Sequence, residues 1–162
     1  MNRLKIALLA GGNSSEREIA LQSAGQIADA LDASKYDVKV IDLHHRDWMY
    51  TAPDGRKYPL DKNDFSLTVD GERTEFEYAL IIIHGTPGED GKLQGYLDMM
   101  GIPYSSCSQV SSTITFDKIT TKRAVAGRGI NLAKEILLGR GDKADAAEIV
   151  ARLGLPVFVK PN

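Results

Sequence analysis

The order of elements in the first 44 residues constrains the fold more than any other feature of the sequence. The apolar run 4–10 predicts a strand, and the pair Gly11-Gly12 follows it directly. Apolar residues then recur at three- and four-residue spacing through 14–33, which predicts an amphipathic helix before a second strand at 36–43. A strand–loop–helix–strand unit implies parallel strands joined by a right-handed crossover. We therefore expect an α/β fold built on a parallel sheet.

The rest of the chain predicts a β-rich insertion, one more main strand and several helices. Residues 48–77 alternate loosely and contain the turn signal Asp70-Gly71, so they predict a β-rich excursion from the sheet. The uninterrupted run 80–83 predicts a strand buried on both faces, as in a parallel sheet. Further helices are predicted at 91–100, 108–116, 117–127 and 142–153, and further strands at 102–105, 133–138 and 156–160.

The pattern changes after Gly127-Arg128-Gly129, and we place a domain boundary there. Residues 1–128 are predicted to form one domain, and residues 129–162 to begin a second. The second unit is shorter than the roughly 40 residues that a free-standing core usually needs. We therefore expect it either to lean on the first domain or to be incomplete.

Composition and charge exclude several classes of protein. The 162 residues are 43% hydrophobic and 26% charged, with a net charge of -2, which argues against nucleic acid or a membrane surface as the main partner. No apolar stretch approaches the roughly 18 residues of a membrane span, and the N-terminus lacks a signal-peptide pattern. The single cysteine, Cys107, cannot form an internal disulfide. These features predict a cytoplasmic protein.

The first candidate site is the loop between the first strand and the first helix. Ser15 and Glu18 have the spacing of a capping box, which accounts for Glu18 without a ligand. Glu16 is placed on the first turn of the helix, near the carboxyl edge of the sheet, where its carboxylate could hold a substrate ammonium. A merely solvated helix residue is the alternative. The fingerprints of dinucleotide binding and of the phosphate loop are both absent.

The second candidate site is the octapeptide loop, residues 84–91, which directly follows the apolar run. Ligands of open α/β folds bind at the carboxyl ends of strands. His84 fits a general base or a cation that pairs with a carboxylate, with Glu89 to orient it; a buried, hydrogen-bonded histidine is the alternative. Asp90 either helps to orient His84 or caps the next helix. No metal-ligand spacing accompanies these residues, and the adjacent His44-His45 are expected in a loop.

Lysines form the third candidate set. Lys160 ends the predicted strand 156–160, where a cation can reach phosphate oxygens. Lys118 and Lys122 share one helix face, and for Lys122 we favour a solvated face. Cys107 has no histidine close to it in sequence and is not expected to be a nucleophile.

Four segments in series resemble the D-alanine–D-alanine ligases of bacterial cell-wall synthesis, members of the ATP-grasp superfamily. They are residues 11–21, 84–105, 116–122 and 154–162. The resemblance implies a Rossmann-like N-terminal domain, also called pre-ATP-grasp, followed by the start of an ATP-grasp central domain. It also implies a ligase that joins two D-alanines for peptidoglycan synthesis. ATP phosphorylates the carboxylate of one D-alanine, and the amine of the second attacks the acyl phosphate.

The resemblance assigns roles to four residues of the two loops. In such ligases the glutamate matching Glu16 holds the ammonium of the first D-alanine. The histidine matching His84 lies near the carboxylate of that substrate, and the acid matching Glu89 supports the arrangement. The serine matching Ser15 belongs to the same hydrogen-bonded cluster.

The resemblance also bears on cofactors and assembly. The lysines matching Lys118 and Lys160 contact ATP phosphates in the family, and the family is commonly homodimeric. It continues past the segment matching 160–162 into a phosphate loop, an adenine pocket and the magnesium ligands. We therefore expect Mg²⁺ to have no ligand in this chain, and the isolated 162 residues to be an incomplete and inactive part of a ligase.

Other functions remain open at this point. The alternative from another class is a non-catalytic Rossmann-like module that binds a small molecule or docks a partner. Within the ligases, the sequence does not separate D-alanine from D-lactate or D-serine as the second substrate. At residues 105–107 the chain reads Ser-Ser-Cys where the family usually has a glycine, which leaves the detail of that loop open.

Overall fold

The computed structural model describes residues 3–162 and contains seven strands and five helices within them. The strands are β1 (Leu4–Gly11), β2 (Tyr36–His44), β3 (Asp47–Thr51), β4 (Lys57–Asp61), β5 (Ser66–Val69), β6 (Glu72–Glu75) and β7 (Tyr78–Ile81). The helices are α1 (Arg17–Ala30), α2 (Lys92–Met100), α3 (Gln109–Phe116), α4 (Lys118–Val125) and α5 (Ala146–Leu153). None of these five helices has the length and apolar character needed to cross a lipid bilayer.

Two compact units make up the chain, one ending at Thr113 and the other beginning at Ile114. The first unit holds one seven-stranded sheet in the order β6-β5-β4-β3-β2-β1-β7. Strand β1 is parallel to both β2 and β7, so the three parallel strands form one end of the sheet. This confirms the predicted α/β fold with a parallel sheet.

The insertion 48–77 extends the sheet instead of leaving it. Each strand from β3 to β6 pairs antiparallel with the strand before it, so a run of hairpins continues the sheet beyond β2. The prediction of a β-rich segment is confirmed, but the expectation that it leaves the sheet is wrong. Short turns join antiparallel neighbours, so successive hairpins add strands at the open edge of β2.

The core lies on both faces of β1. Ala7 and Leu9 belong to a large apolar cluster that includes Leu93 and Leu97 of α2. The alternate residues Leu8 and Ala10 join a smaller cluster that includes Ala24 of α1. Successive side chains of a strand point to opposite faces, so α1 and α2 cover opposite sides of the parallel strands.

Strand β7 is less buried than the sequence predicts. Leu80 and Ile81 are half-buried, because β7 forms the edge of the sheet. Beyond β7, the predicted strand 102–105 is reduced to one parallel bridge between Ala79 and Tyr104. The expectation of a strand buried on both faces is therefore wrong for β7, although it describes β1 well.

The second unit contains α4, α5 and extended segments. The carboxylates of Asp117 and Asp145 cap the two helices by accepting hydrogen bonds from backbone N–H groups of their first turns. The strands predicted at 133–138 and 156–160 do not form among the described residues, and Val159 is 95% exposed. An apolar segment becomes a strand only beside a partner backbone, and these two segments have no strand partner within residues 114–162. The boundary at 128/129 and the start of an ATP-grasp domain stay predictions.

Candidate functional site

Three loops meet at the carboxyl edge of the parallel strands. They are the glycine loop (residues 11–16), the turn after β2, and the octapeptide loop. The Asn13 N–H donates to the carbonyl of Thr86 at 2.9 Å, and the Asn13 side-chain oxygen accepts from the N–H of His45 at 2.7 Å. Because β1, β2 and β7 are parallel, their following loops all start at this edge, and Asn13 connects them.

Gly12 allows the glycine loop to approach the octapeptide loop. Its φ is +97°, a conformation that side chains other than glycine rarely adopt. A Cβ built on Gly12 would lie 2.6 Å from Cγ2 of Ile83, just before the octapeptide loop, and 3.3 Å from the carbonyl oxygen of Thr86 within it. The glycine therefore serves the close contact between two loops of the candidate site.

Helix α1 begins later than the sequence predicts. Glu16 occupies the N-cap position, and no side-chain hydrogen bond caps the helix. Glu18 instead lies 3.1 Å from Arg17 in an ion pair. The predicted capping box of Ser15 and Glu18 is therefore wrong. The Glu16 side chain is exposed and makes no hydrogen bond or ion pair among residues 3–162.

Ser14 occupies the bonded position that the sequence suggested for Ser15. The Ser14 hydroxyl donates to the carbonyl of His84 at 2.8 Å and accepts from the N–H of Glu16 at 3.2 Å. The Ser15 hydroxyl is exposed and makes no hydrogen bond in the described part of the chain. Two adjacent serines give no local signal that separates them, so sequence reasoning missed Ser14; a catalytic role for Ser15 stays a prediction.

The first turn of α1 is held against the end of β2. The Arg17 guanidinium pairs with the Asp42 carboxylate at 2.5 Å, and both side chains are partly buried. Arg17 directly follows Glu16, so this ion pair fixes the backbone from which Glu16 projects. No local sequence pattern joins Arg17 with Asp42, because 25 residues separate them.

Within the octapeptide loop, Glu89 closes a small ring of backbone contacts. Its carboxylate accepts from the N–H of Gly85 at 2.6 Å, and its own N–H donates to the carbonyl of Gly85 at 2.9 Å. Glu89 thus holds the loop immediately after His84. His84 itself is exposed, so the alternative of a buried core histidine is wrong.

A cavity of about 320 Å³ opens beside this loop. Gln94 of α2 is fully buried and donates to the carbonyl of Gly88 at 2.6 Å and to the hydroxyl of Ser106 at 2.9 Å, which joins two walls of the cavity. Sequence reasoning picked out neither Gln94 nor the serine. The cavity is lined by Ile81, Ile82, Ile83, His84, Gly88, Glu89, Ser105 and Ser106.

Asp90 supports the start of α2. Its carboxylate accepts from the backbone N–H of Lys92 at 3.2 Å and pairs with the Lys92 ammonium. Burial raises the pKa of Asp90, but hydrogen bonds from Lys92 and Thr86 outweigh burial and hold that pKa below its usual value. The N-cap of α2 is Gly91 and no side-chain hydrogen bond caps the helix, so the predicted cap at Asp90 is wrong. Asp90 instead binds Lys92, the first residue of α2, and a role in orienting His84 stays a prediction.

Replacing Asp90 with asparagine is expected to destabilise the protein by about 1 kcal/mol at pH 7, since the amide keeps the shape but loses the charge. A carboxyl whose pKa is lowered by folding stabilises the protein above its unfolded pKa, roughly 3.9. The difference between Asp90→Asn and wild type should therefore disappear as the pH falls through the folded pKa. Urea unfolding at several pH values measures this difference in the free energy of unfolding.

Asp29→Asn is the control, because Asp29 is an exposed residue of α1 with no ion pair among the described residues. It should differ from wild type by a few tenths of a kcal/mol at every pH. A pH-independent loss in Asp90→Asn would contradict the ion-pair explanation.

The two predicted phosphate-binding lysines lie in the second unit. Lys118 is the first residue of α4 and is exposed. The amide of Asn162 donates to the carboxylate of Asp117 at 2.6 Å, so the segment that carries Lys160 runs to the start of α4. The Lys160 ammonium is exposed and lies 5.8 Å from the ring centroid of Phe158.

Comparisons with known proteins point to one family. The family described as D-ala D-ala ligase N-terminus matches residues 5–107. The D-alanine–D-alanine ligase of Phocaeicola vulgatus is 43% identical over 157 residues, which cover 97% of this chain and 48% of the relative. That of Porphyromonas gingivalis is 44% identical, over 100% of this chain and 49% of the relative. The solved D-alanine–D-alanine ligase from Coxiella burnetii has a TM-score of 0.78 at 30% identity, over 94% of this chain and 50% of that chain. The chain thus spans about half the length of the curated relatives it matches.

Proposed function

This chain belongs to the D-alanine–D-alanine ligase family, and from that membership we propose that it binds the first D-alanine in the ATP-dependent joining of two D-alanines. The observation that carries the proposal is the junction at the carboxyl edge of the sheet. There one hydroxyl, that of Ser14, bonds to the backbones of both Glu16 and His84. The two groups that an amino acid zwitterion needs, an anion and a cation, thus project from loops that touch.

Glu16 supplies the anion. Its carboxylate is exposed and unpaired among the described residues, so an incoming ammonium does not have to displace a protein cation. Arg17 is close in sequence but is already paired with Asp42 and Glu18. The Glu16 carboxylate would therefore bind and orient the ammonium of the first D-alanine.

His84 supplies the cation at the edge of the cavity. A protonated imidazole there would attract the substrate carboxylate. Glu89 holds the loop behind it through Gly85. Ser15, next to Glu16 in the exposed part of the glycine loop, would contact the same substrate.

In this reaction an oxygen of the first D-alanine's carboxylate attacks the γ-phosphorus of ATP, which releases ADP and leaves an acyl phosphate. The amine of the second D-alanine then attacks the acyl carbon, and phosphate leaves. Lys118 and Lys160 are exposed cations of the second unit that would bind ATP phosphates. Residues 3–162 hold no group of three or more His, Cys, Asp or Glu side chains that could bind a metal, so we assign no magnesium ligand to them.

The biological setting is part of the proposal. We propose that the reaction serves peptidoglycan synthesis, and with it cell-wall biogenesis and cell shape, in the cytoplasm. ATP would act with magnesium, and the enzyme would be a homodimer. Residues 1–128 would form the Rossmann-like substrate domain, and residues 129–162 would begin the ATP-grasp central domain.

Calorimetric titration of D-alanine, and then of ATP with magnesium, tests the proposal. The two samples are the 162-residue polypeptide and a chimera that joins it to the remaining half of the Porphyromonas gingivalis ligase. We expect the chimera to bind ATP and release phosphate in the presence of D-alanine, and the short chain to do neither. The unaltered Porphyromonas gingivalis ligase is the positive control.

Two outcomes would contradict this expectation. Phosphate release by the short chain, dependent on both ATP and D-alanine, would show that residues 1–162 hold a complete active site. A folded chimera that binds ATP but shows no response to D-alanine would favour a non-catalytic binding module.

A further inference from the structure

The Ser14 hydroxyl joins the two loops that carry the proposed substrate-binding groups. It donates to the carbonyl of His84 at 2.8 Å and accepts from the N–H of Glu16 at 3.2 Å. A hydroxyl is a small side-chain group that can donate one hydrogen bond and accept another, and the Ser14 hydroxyl does both. No other side chain among residues 3–162 bonds to the backbones of both Glu16 and His84.

The surroundings leave little freedom at this junction. Ser14 is half-buried, and a Cβ built on Gly85 would lie 3.0 Å from Cβ of Ser14. The preceding residue, Asn13, donates its N–H to the carbonyl of Thr86 at 2.9 Å. Two successive residues of the glycine loop are therefore bonded to the octapeptide loop, on either side of the tight contact at Gly85.

We propose that Ser14 is a positioning residue that sets the distance between the ammonium-binding and carboxylate-binding groups. The inference rests on the proposed function, in which Glu16 and His84 bind one D-alanine. A single carbon separates the ammonium and the carboxylate of an α-amino acid, so a small shift between the loops disturbs both contacts together. Ser14 thereby favours an α-amino acid over β-alanine, whose two charged groups are one carbon farther apart.

Matched variants isolate the hydroxyl. Ser14→Thr and Ser14→Val have nearly the same shape and differ in whether a hydroxyl is present. Ser14→Ala removes the hydroxyl without adding volume. Ser23→Ala is the control, because the Ser23 hydroxyl on α1 makes no hydrogen bond in the described part of the chain.

The first measurement needs no ligand. In the isotope-labelled 162-residue polypeptide, NMR follows hydrogen exchange of the Glu16 amide and the imidazole signals of His84. We expect Ser14→Ala and Ser14→Val to speed exchange of the Glu16 amide about tenfold and to shift the His84 signals, because the shared hydroxyl is lost. Ser14→Thr and Ser23→Ala should resemble wild type.

The second measurement titrates D-alanine and β-alanine into the same variants of the chimera with the Porphyromonas gingivalis half. Loss of the hydroxyl should weaken D-alanine binding about tenfold and β-alanine binding much less, so the preference between them falls. General loosening of the fold would weaken both ligands alike.

The outcomes separate this inference from the proposed function. Unchanged Glu16 exchange and unchanged His84 signals in both Ser14→Ala and Ser14→Val would overturn the positioning role, as would equal weakening of the two ligands. If the ligand-free changes occur while the wild-type chimera shows no response to D-alanine, the proposed substrate is wrong and the structural link through Ser14 stands.

Discussion

Replacing Glu16 with glutamine is expected to lower kcat/KM for the first D-alanine by about 10²-fold to 10³-fold in the chimera with the Porphyromonas gingivalis half. Removing one charge of a desolvated, hydrogen-bonded ion pair costs roughly 3–4 kcal/mol, and each 1.4 kcal/mol is a factor of ten. The glutamine keeps the size of the side chain and loses only its charge. Steady-state phosphate release at varied D-alanine concentration measures the change.

Glu18→Gln is the matched control for this prediction. Glu18 lies two residues later in the same helical turn, and its carboxylate pairs with Arg17 at the surface. Exposed ion pairs contribute less than about 1 kcal/mol, so Glu18→Gln should change kcat/KM by at most a few-fold. Equal effects of the two substitutions would indicate a general charge effect at the start of α1 and would remove Glu16 from the substrate site.

The parallel part of the fold could be predicted from sequence because its signals are local. A short apolar run, a glycine pair and a helical repeat occur in order within 4–43, and the sense of the crossover follows from the chirality of the chain. The insertion 48–77 was predicted as β-rich through its turn signals. That this insertion continues the main sheet depends on the free edge of β2, and no local sequence pattern shows which edge of a sheet is free.

Strand prediction failed where the partner backbone decides the outcome. Residues 133–138 and 156–160 have the composition of strands, yet no strand forms there among the described residues. The same reasoning explains β7, where an apolar run suggests full burial and the edge position leaves Leu80 and Ile81 half-buried. Apolar composition shows that a segment can form a strand. Whether it does depends on a neighbouring strand that the tertiary structure has to supply.

At the candidate site, sequence reasoning identified the loops more reliably than the contacts within them. Glu16 and His84 could be selected because they interrupt glycine-rich segments at strand ends. The capping box failed because helix α1 starts at Arg17, which leaves Ser15 outside it. The contact of Ser14 with His84 spans 70 residues, so no spacing rule finds it.

Replacing Gly91 with alanine is expected to destabilise the 162-residue polypeptide by about 3 kcal/mol. Gly91 ends the octapeptide loop with φ +86°, where an L-residue costs about 1–2 kcal/mol. A Cβ there would also lie 2.1 Å from the hydroxyl oxygen of Thr113 and 2.8 Å from the carbonyl of Gln109. Overpacking of this kind adds roughly 1–3 kcal/mol, because the carbonyl belongs to helix α3 and cannot move freely. Urea unfolding measures the loss.

Gly71→Ala separates the cost of the positive φ from the cost of overpacking. Gly71 lies in the turn between β5 and β6 with the same φ of +86°, and a Cβ on it would meet nothing within 4 Å. It should lose only the backbone term, about 1 kcal/mol. The excess loss in Gly91→Ala therefore measures how tightly α3 holds the start of α2, and with it the loop that carries Glu89. If the two variants unfold at the same urea concentration, the contact with Thr113 and Gln109 is soft, and the octapeptide loop is not fixed from that side.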